Sequence, residues 1–355
     1  MDFHPTEEQA AAVALAARIF RDLATHERLA AAGTGTDAEL WKALVGSGLI
    51  GAVEDIGLLG LVLLLEEQGR TTAQVPYAAT CVYGVLPVAA HGSAEQRARL
   101  LPALGTGEAV ATGAFPDRGW FTASADGRLT GTAPVVPWLR DATHVLVPDA
   151  ARTLWLVRTD VPGVETAPVE TTAPWAAGRL CLAGAEAEPL GPSPAAGGQP
   201  YEAVLATART AFAGLQAGVC AGAVARAAEY TSSREQFGRP LSTNQGVMLR
   251  AADAHMDTEA IRVTAYEAAW RIDQGLPAHE HALTAAWWAS EAGKRVVHAG
   301  QHLHGGTGAD LDHPVHRHFL WGRQLDAHLG CGSELLAELG ALVSRPSTPP
   351  EGEDA

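Results

Sequence analysis

From Tyr201 to Ser344 the chain reads as one long helix-forming block, interrupted only by two short glycine motifs, Arg234-Glu235-Gln236-Phe237-Gly238 and His304-Gly305-Gly306-Thr307-Gly308. The run between them is rich in Ala, Leu, Glu and Arg, residues that lose little freedom in a helix. Met248, Ala252, Met256, Ile261, Ala265 and Ala268 recur near the helical period. That pattern predicts helices burying one face in a bundle.

The chain ahead of this block divides by composition. Thr6 and Gln9 have the spacing of a capping box, before an alanine-rich helix through about Leu23. Asp37 to Val45 reads as a second helix ended by Gly46 and Gly48, Leu58 to Gln68 as a buried one and Ala94 to Leu104 as a short amphipathic one. Residues 1–108 are therefore expected to be all-helical. Over 109–197 helical periodicity fades, and short β-rich runs separated by turn residues appear: Arg128 to Thr132, His144 to Pro148 and Thr153 to Val157. This predicts a small middle β domain. Pro192 to Pro200 reads as a linker, 198–345 as the C-terminal helical bundle and 346–355 as a disordered tail.

Charge and cysteine usage narrow the function classes. A net charge of −15 over 355 residues argues against nucleic-acid or anionic-membrane partners. Cys81, Cys181, Cys220 and Cys331 lie far apart, with no CxxC pairing, which fits a reducing compartment. The N-terminus has no basic then apolar export pattern, and the apolar run at Leu58 to Leu65 stops at Glu66, short of a membrane span. A cytoplasmic protein is expected.

Helices, a small β domain and a helical bundle, with these two motifs in this order, resemble the acyl-CoA dehydrogenase family. Arg234-Glu235-Gln236-Phe237-Gly238-Arg239-Pro240-Leu241 with Gln245 is similar to its R-x-x-F-G-x-P-(I/L) followed by F-Q. His302-Leu303-His304-Gly305-Gly306-Thr307-Gly308, then His313-Pro314, is similar to its Q-(I/L/V)-H-G-G-x-G segment, with His302 in place of the Gln. The resemblance implies a mostly α fold with a central β domain and a C-terminal four-helix bundle. It also implies FAD at a subunit boundary. Arg234 would meet the pyrophosphate, for which a guanidinium is suited. Phe237, Gln245 and His302 would line the same groove, and Gly305 and Gly306 would admit close backbone approach.

The middle domain departs from the family. Thr112-Gly113-Ala114-Phe115-Pro116-Asp117-Arg118-Gly119 stands where active members carry T-E-P-x-x-G-S-D, and Val135-Val136-Pro137-Trp138-Leu139 replaces W-I-(T/S). The reaction needs one carboxylate to take an α-proton while the β-hydride leaves to the flavin. Of the family's two positions for that base, Ala208 (before Arg209) occupies one and Leu329-Gly330 the other. Asp326 is a weak candidate, about one helical turn early.

This asymmetry resembles the smaller, base-less subunits of actinobacterial α2β2 acyl-CoA dehydrogenases acting on steroid side-chain CoA thioesters. There a homologous larger subunit carries the base and each heterodimer holds one flavin. The resemblance implies such a partner, an acyl-CoA substrate in the complex and an electron-transfer flavoprotein as acceptor. Two other readings stay open: a scaffold without flavin, and an active homotetramer using Asp326. Seven histidines, His298, His302, His304, His313, His316, His318 and His328, crowd the C-terminal region, but their spacing fits no zinc pattern, so no metal is expected.

Overall fold

The computed structural model describes residues 2–191 and 199–344, so most of the expected linker and the whole expected tail lie outside the described residues. Thr6 and Gln9 cap each other reciprocally and start α1 (Glu7–Leu23). Helices α2 (His26–Ala32), α3 (Ala38–Gly46), α4 (Val53–Thr71), α5 (Tyr77–Thr80), α6 (Leu86–His91) and α7 (Ala94–Gly105) follow, with a π-turn at Cys81–Val85. Asp37 caps α3, and Ser93 with Gln96 forms a second capping box on α7. Gly57, at φ 70°, kinks α4 and frees the next two amides. Leu58 N–H and Leu59 N–H donate to the Asp273 carboxylate at 2.8 and 2.9 Å, a cap supplied from the far end of another helix.

The middle segment forms two four-stranded sheets. Strands are β1 (Ala111–Gly113), β2 (Phe121–Ala123), β3 (Arg128–Val136), β4 (His144–Pro148), β5 (Leu154–Arg158), β6 (Val164–Pro168), β7 (Gly178–Glu186) and β8 (Glu188–Pro189), ordered β1-β4-β5-β8 and β2-β3-β7-β6. β1 pairs parallel to β4; the other pairings within these two sheets are antiparallel. β4 and β5 are apolar on both faces. Val145, Val147 and Val157 pack on the second sheet, while Leu146, Leu154 and Leu156 pack on the helices. That is why the sequence shows a continuous apolar run there instead of alternation.

The C-terminal block folds as three long helices, α8 (Gln199–Ser233), α9 (Gln245–Asp273) and α10 (His279–Leu303), with α11 (Val315–Asp326) and α12 (Gly332–Val343) against them. α8 carries Gly214, Gly218 and Gly222 at four-residue spacing, and α4 lies along that stripe almost backbone to backbone. A Cβ on Gly218 would sit 2.1 Å from the Glu66 carbonyl oxygen, and one on Gly69 would sit 2.2 Å from that of Leu215. By length and composition α8 could cross a membrane, yet 72% of its most apolar window is buried inside this chain.

One expectation needs correction. Ile261, Ala265 and Ala268 are buried, but Met248 and Met256 are 51% and 64% exposed and Ala252 is also exposed. The buried stripe is Ala254, Thr258, Ile261, Ala265 and Ala268. α9 has two apolar faces, and the sequence period alone merges them. Leu249, Ala252, Met256 and Val263 form the outer one, at the steps of three, four and seven residues that keep to one side of a helix.

Candidate functional site

Between α8 and α9 the chain makes a two-residue hairpin, in which Glu235–Gln236 (β9) pairs with Arg239–Pro240 (β10). Phe237 and Gly238 form its tip with φ of 53° and 75°. Positive φ at both central residues is the twist that a tight hairpin requires. The Phe237 side chain is 100% exposed. Arg234 and Gln245 flank it and are exposed as well. Among the described residues, Arg234, Arg239 and Arg250 form no ion pair with a carboxylate, although the chain carries a strong acidic excess.

The second motif closes α10. His302 is exposed on the last turn, and Gly305 to Ala309 form a 3-10 turn with Gly305 at φ 59°. A Cβ on Gly305 or Gly306 would meet nothing in this chain, so the space over them is open to another molecule. Open glycine backbone at one motif and unpaired arginines at the other are each suited to an anionic, planar ligand that approaches from outside.

The two segments that depart from the expected motif pattern meet in the fold. The Thr112 hydroxyl donates to the Pro137 carbonyl, and Thr112 is fully buried. Aromatic rings pack in series. Tyr201 stacks on Phe115 at 5.6 Å, Phe115 on Tyr83 at 5.2 Å, and Tyr83 leans on Phe212 at 6.1 Å. Phe212 meets His328 at 4.5 Å, and His328 meets Trp175 at 5.8 Å, which packs on Trp138 and Trp321. Ala208 and Leu329 are buried, and Leu329 lines a cavity with Phe212 and His328. The cavity left among Phe212, Gln216, His328, Leu329 and Gly330 holds about 20 Å³, room for roughly one water.

No sequence motif singles out Tyr83, Phe115, Phe212 and Tyr201 as a set. They are scattered across the chain, and only folding assembles them. Asp326 is 8% exposed; it accepts from Ser290 Oγ and from Arg323 at 3.1 Å, and lines neither this cavity nor the larger one beside it.

That larger cavity, of about 660 Å³, opens between the β segment and α12. Its charges are paired across it. Arg118 bonds Glu334, Arg152 bonds Glu202, and the buried Arg209 holds Glu338 through two bonds of 2.8 and 2.6 Å. The Arg118 guanidinium keeps the Glu334 carboxyl below the usual range. Among the described residues no group of three His, Cys, Asp or Glu side chains is arranged to hold a metal ion.

The profile "Acyl-CoA dehydrogenase, N-terminal domain" matches residues 6–108, and "Acyl-CoA dehydrogenase, C-terminal domain" matches 199–333. Acyl-CoA dehydrogenase FadE27 of Mycobacterium tuberculosis is 34% identical over 86% of this chain and 87% of its own. The chain belongs to the acyl-CoA dehydrogenase family. It therefore shares the fold of a family of FAD-dependent oxidoreductases. Among solved structures, a Tcur3481-Tcur3483 steroid ACAD variant is 41% identical, with a TM-score of 0.89 over 95% of this chain and 98% of that one. The ChsE4-ChsE5 complex from Mycobacterium tuberculosis is 31% identical, with a TM-score of 0.91 over 98% of this chain and 100% of its counterpart.

Proposed function

We propose that this acyl-CoA dehydrogenase chain is the smaller, base-less subunit of an α2β2 enzyme. In this reading it lends Arg234, Phe237, Gln245, His302, Gly305 and Gly306 to a flavin held mainly by a homologous larger subunit, which carries the catalytic base. One observation carries the reading. No carboxylate stands at Ala208 or Leu329-Gly330, and the cavity bordered by Phe212, His328, Leu329 and Gly330 holds only about 20 Å³.

The outward-facing residues supply the other half of the argument. Arg234 would pair with a pyrophosphate through parallel N–H donors. Phe237 would cover a ring, and Gly305 with Gly306 would let backbone approach the cofactor. When bound, FAD supplies the hydride-accepting chemistry. The seam of Leu249, Ala252, Met256 and Val263 gives the partner a helix face to pack on. The similarity to steroid ACAD complexes supports a steroid side-chain CoA thioester as substrate. Segments 1–108, 109–197 and 198–345 as separate domains, a cytoplasmic location and an electron-transfer flavoprotein acceptor belong to the same proposal.

The test is the visible absorption of this chain purified alone and after co-expression with a larger acyl-CoA dehydrogenase subunit. Flavin colour only in the complex is the expected result. Colour in the lone chain would overturn the reading, and a colourless stable complex would leave a scaffold. Within the complex, Arg234→Ala is expected to weaken FAD binding roughly 10- to 100-fold, the worth of a charge-assisted hydrogen bond. Melting of the lone chain should not change, because Arg234 has no ion pair there to lose. Gly306→Ala should behave likewise, since its new methyl meets nothing until the cofactor arrives.

A further inference from the structure

The turn that presents Gly305 and Gly306 is pinned at both ends. At its far end the Gln301 amide donates to the Gly308 carbonyl at 3.2 Å, and a Cβ on Gly308 would lie 2.3 Å from the Gln301 carbonyl oxygen. At its near end stands His304, 2% exposed. Its Nδ1–H donates to Gly300 O at 2.7 Å, and its ring stacks on Tyr230 of α8 at 4.7 Å with planes 26° apart. Because Nδ1 carries the hydrogen, Nε2 of the neutral ring is a lone pair. That atom is buried and has no partner among the described residues.

The surroundings disfavour a second proton. From α8 comes Arg226, half-buried with Glu229 as its carboxylate neighbour. The loop after the turn contributes His313, 5.0 Å from His304, together with Asp310. His313 in turn has His26 of α2 near it. Cations and imidazoles outnumber carboxylates here. Burial first, and then Arg226, hold His304 below its ordinary 6.5, while the Gly300 bond acts in the opposite sense.

We propose that Tyr230 and His304 are positioning residues for the cofactor-facing turn: the stack, with its imidazole neutral, sets Gly305 and Gly306 against the partner's flavin, and protonation of His304 releases them. The inference rests on the interface reading above. Its sign follows from linkage. A histidine whose value is depressed in the closed state stabilises that state fully above about pH 6.5. The advantage is lost as pH falls toward the depressed value, by up to about tenfold per pH unit for one proton.

Two measurements test it between pH 7.5 and 5.5: amide hydrogen exchange of the 304–314 segment in the lone chain, and FAD retention by the co-expressed complex. Wild-type chain should show faster exchange and faster flavin loss at the acid end. His304→Phe keeps a stacking ring, and His304→Gln keeps the donor to Gly300; neither takes a proton, so either one should flatten both profiles. Tyr230→Phe should match wild type, whereas Tyr230→Ala should loosen the turn at every pH and weaken FAD binding by about tenfold or more. An unchanged pH step in both His304 variants, or wild-type exchange in Tyr230→Ala, would overturn the proposal while coloured complex leaves the interface reading standing. A complex colourless even at pH 7.5 would sink both.

Discussion

Phe212→Ala is expected to cost the lone chain about 3–5 kcal/mol, the range for truncating a large buried ring. Phe212 is 6% exposed and joins the two halves of the aromatic series, Tyr83 on one side and His328 on the other. The neighbouring cavity is too small to collapse into, and α8 cannot shift to fill the gap because its opposite face touches α4. His328 gives a second readout. Burial drives its value down to about 4, so in wild type the unfolded chain gains a proton before the folded chain does. Stability held above about pH 6.5 should therefore fall between there and about 4. Opening the site to water should shrink that decline in Phe212→Ala. Urea unfolding at several pH values measures both effects. A loss under about 1 kcal/mol would mean that the rings are loosely packed. Co-expression of this variant should restore no activity at the inner site, since Ala208 and Leu329-Gly330 still offer no base.

Gly218→Val is expected to be at least as damaging as ordinary overpacking, about 3 kcal/mol or more. Even a single Cβ there would lie 2.1 Å from the Glu66 carbonyl oxygen and 2.7 Å from its Cα. Those are backbone atoms of a helix that cannot swing aside as a side chain can. The approach is as close along the whole stripe, for a Cβ on Gly222 would lie 2.5 Å from the Arg70 carbonyl oxygen and one on Gly214 2.7 Å from the Val62 side chain. The control is Gly340→Ala on α12, where a Cβ meets nothing. There the helix should gain roughly 0.5–1 kcal/mol, the usual difference between the two residues. Equal effects from the two substitutions would refute the close crossing of α4 and α8.

Much of this molecule was legible in the sequence because local rules and global fold agree. The Thr6–Gln9 capping box and the strand at His144–Pro148 stand where their residues predicted. So does the succession of helices, sheets and helices. The misses have distinct causes. β7 alternates in burial, but its Ala, Gly and Leu give little β signal. α9 has two apolar seams, and periodicity cannot say which one faces solvent. The Gly214-Gly218-Gly222 stripe was visible as spacing, yet nothing local says that a helix needs small residues until its neighbour is known. The inner site was read as defective from missing residues. The aromatic series itself depends on contacts between residues far apart in the chain, such as Tyr83 with Phe212 and Phe115 with Tyr201.

The hairpin tip has a kinetic consequence. A phenylalanine at φ 53° occupies a region that costs a bulky L-residue on the order of 1 kcal/mol or more. The free chain therefore carries that strain for a ring that touches nothing of its own. A loop that waited to fold on its target would charge its ordering entropy to the encounter and slow it. A tip already formed does not. In the proposed complex, docking onto this hairpin should proceed as collision and orientation of surfaces already formed, with the energy of contact spent on holding the complex together rather than on shaping the loop.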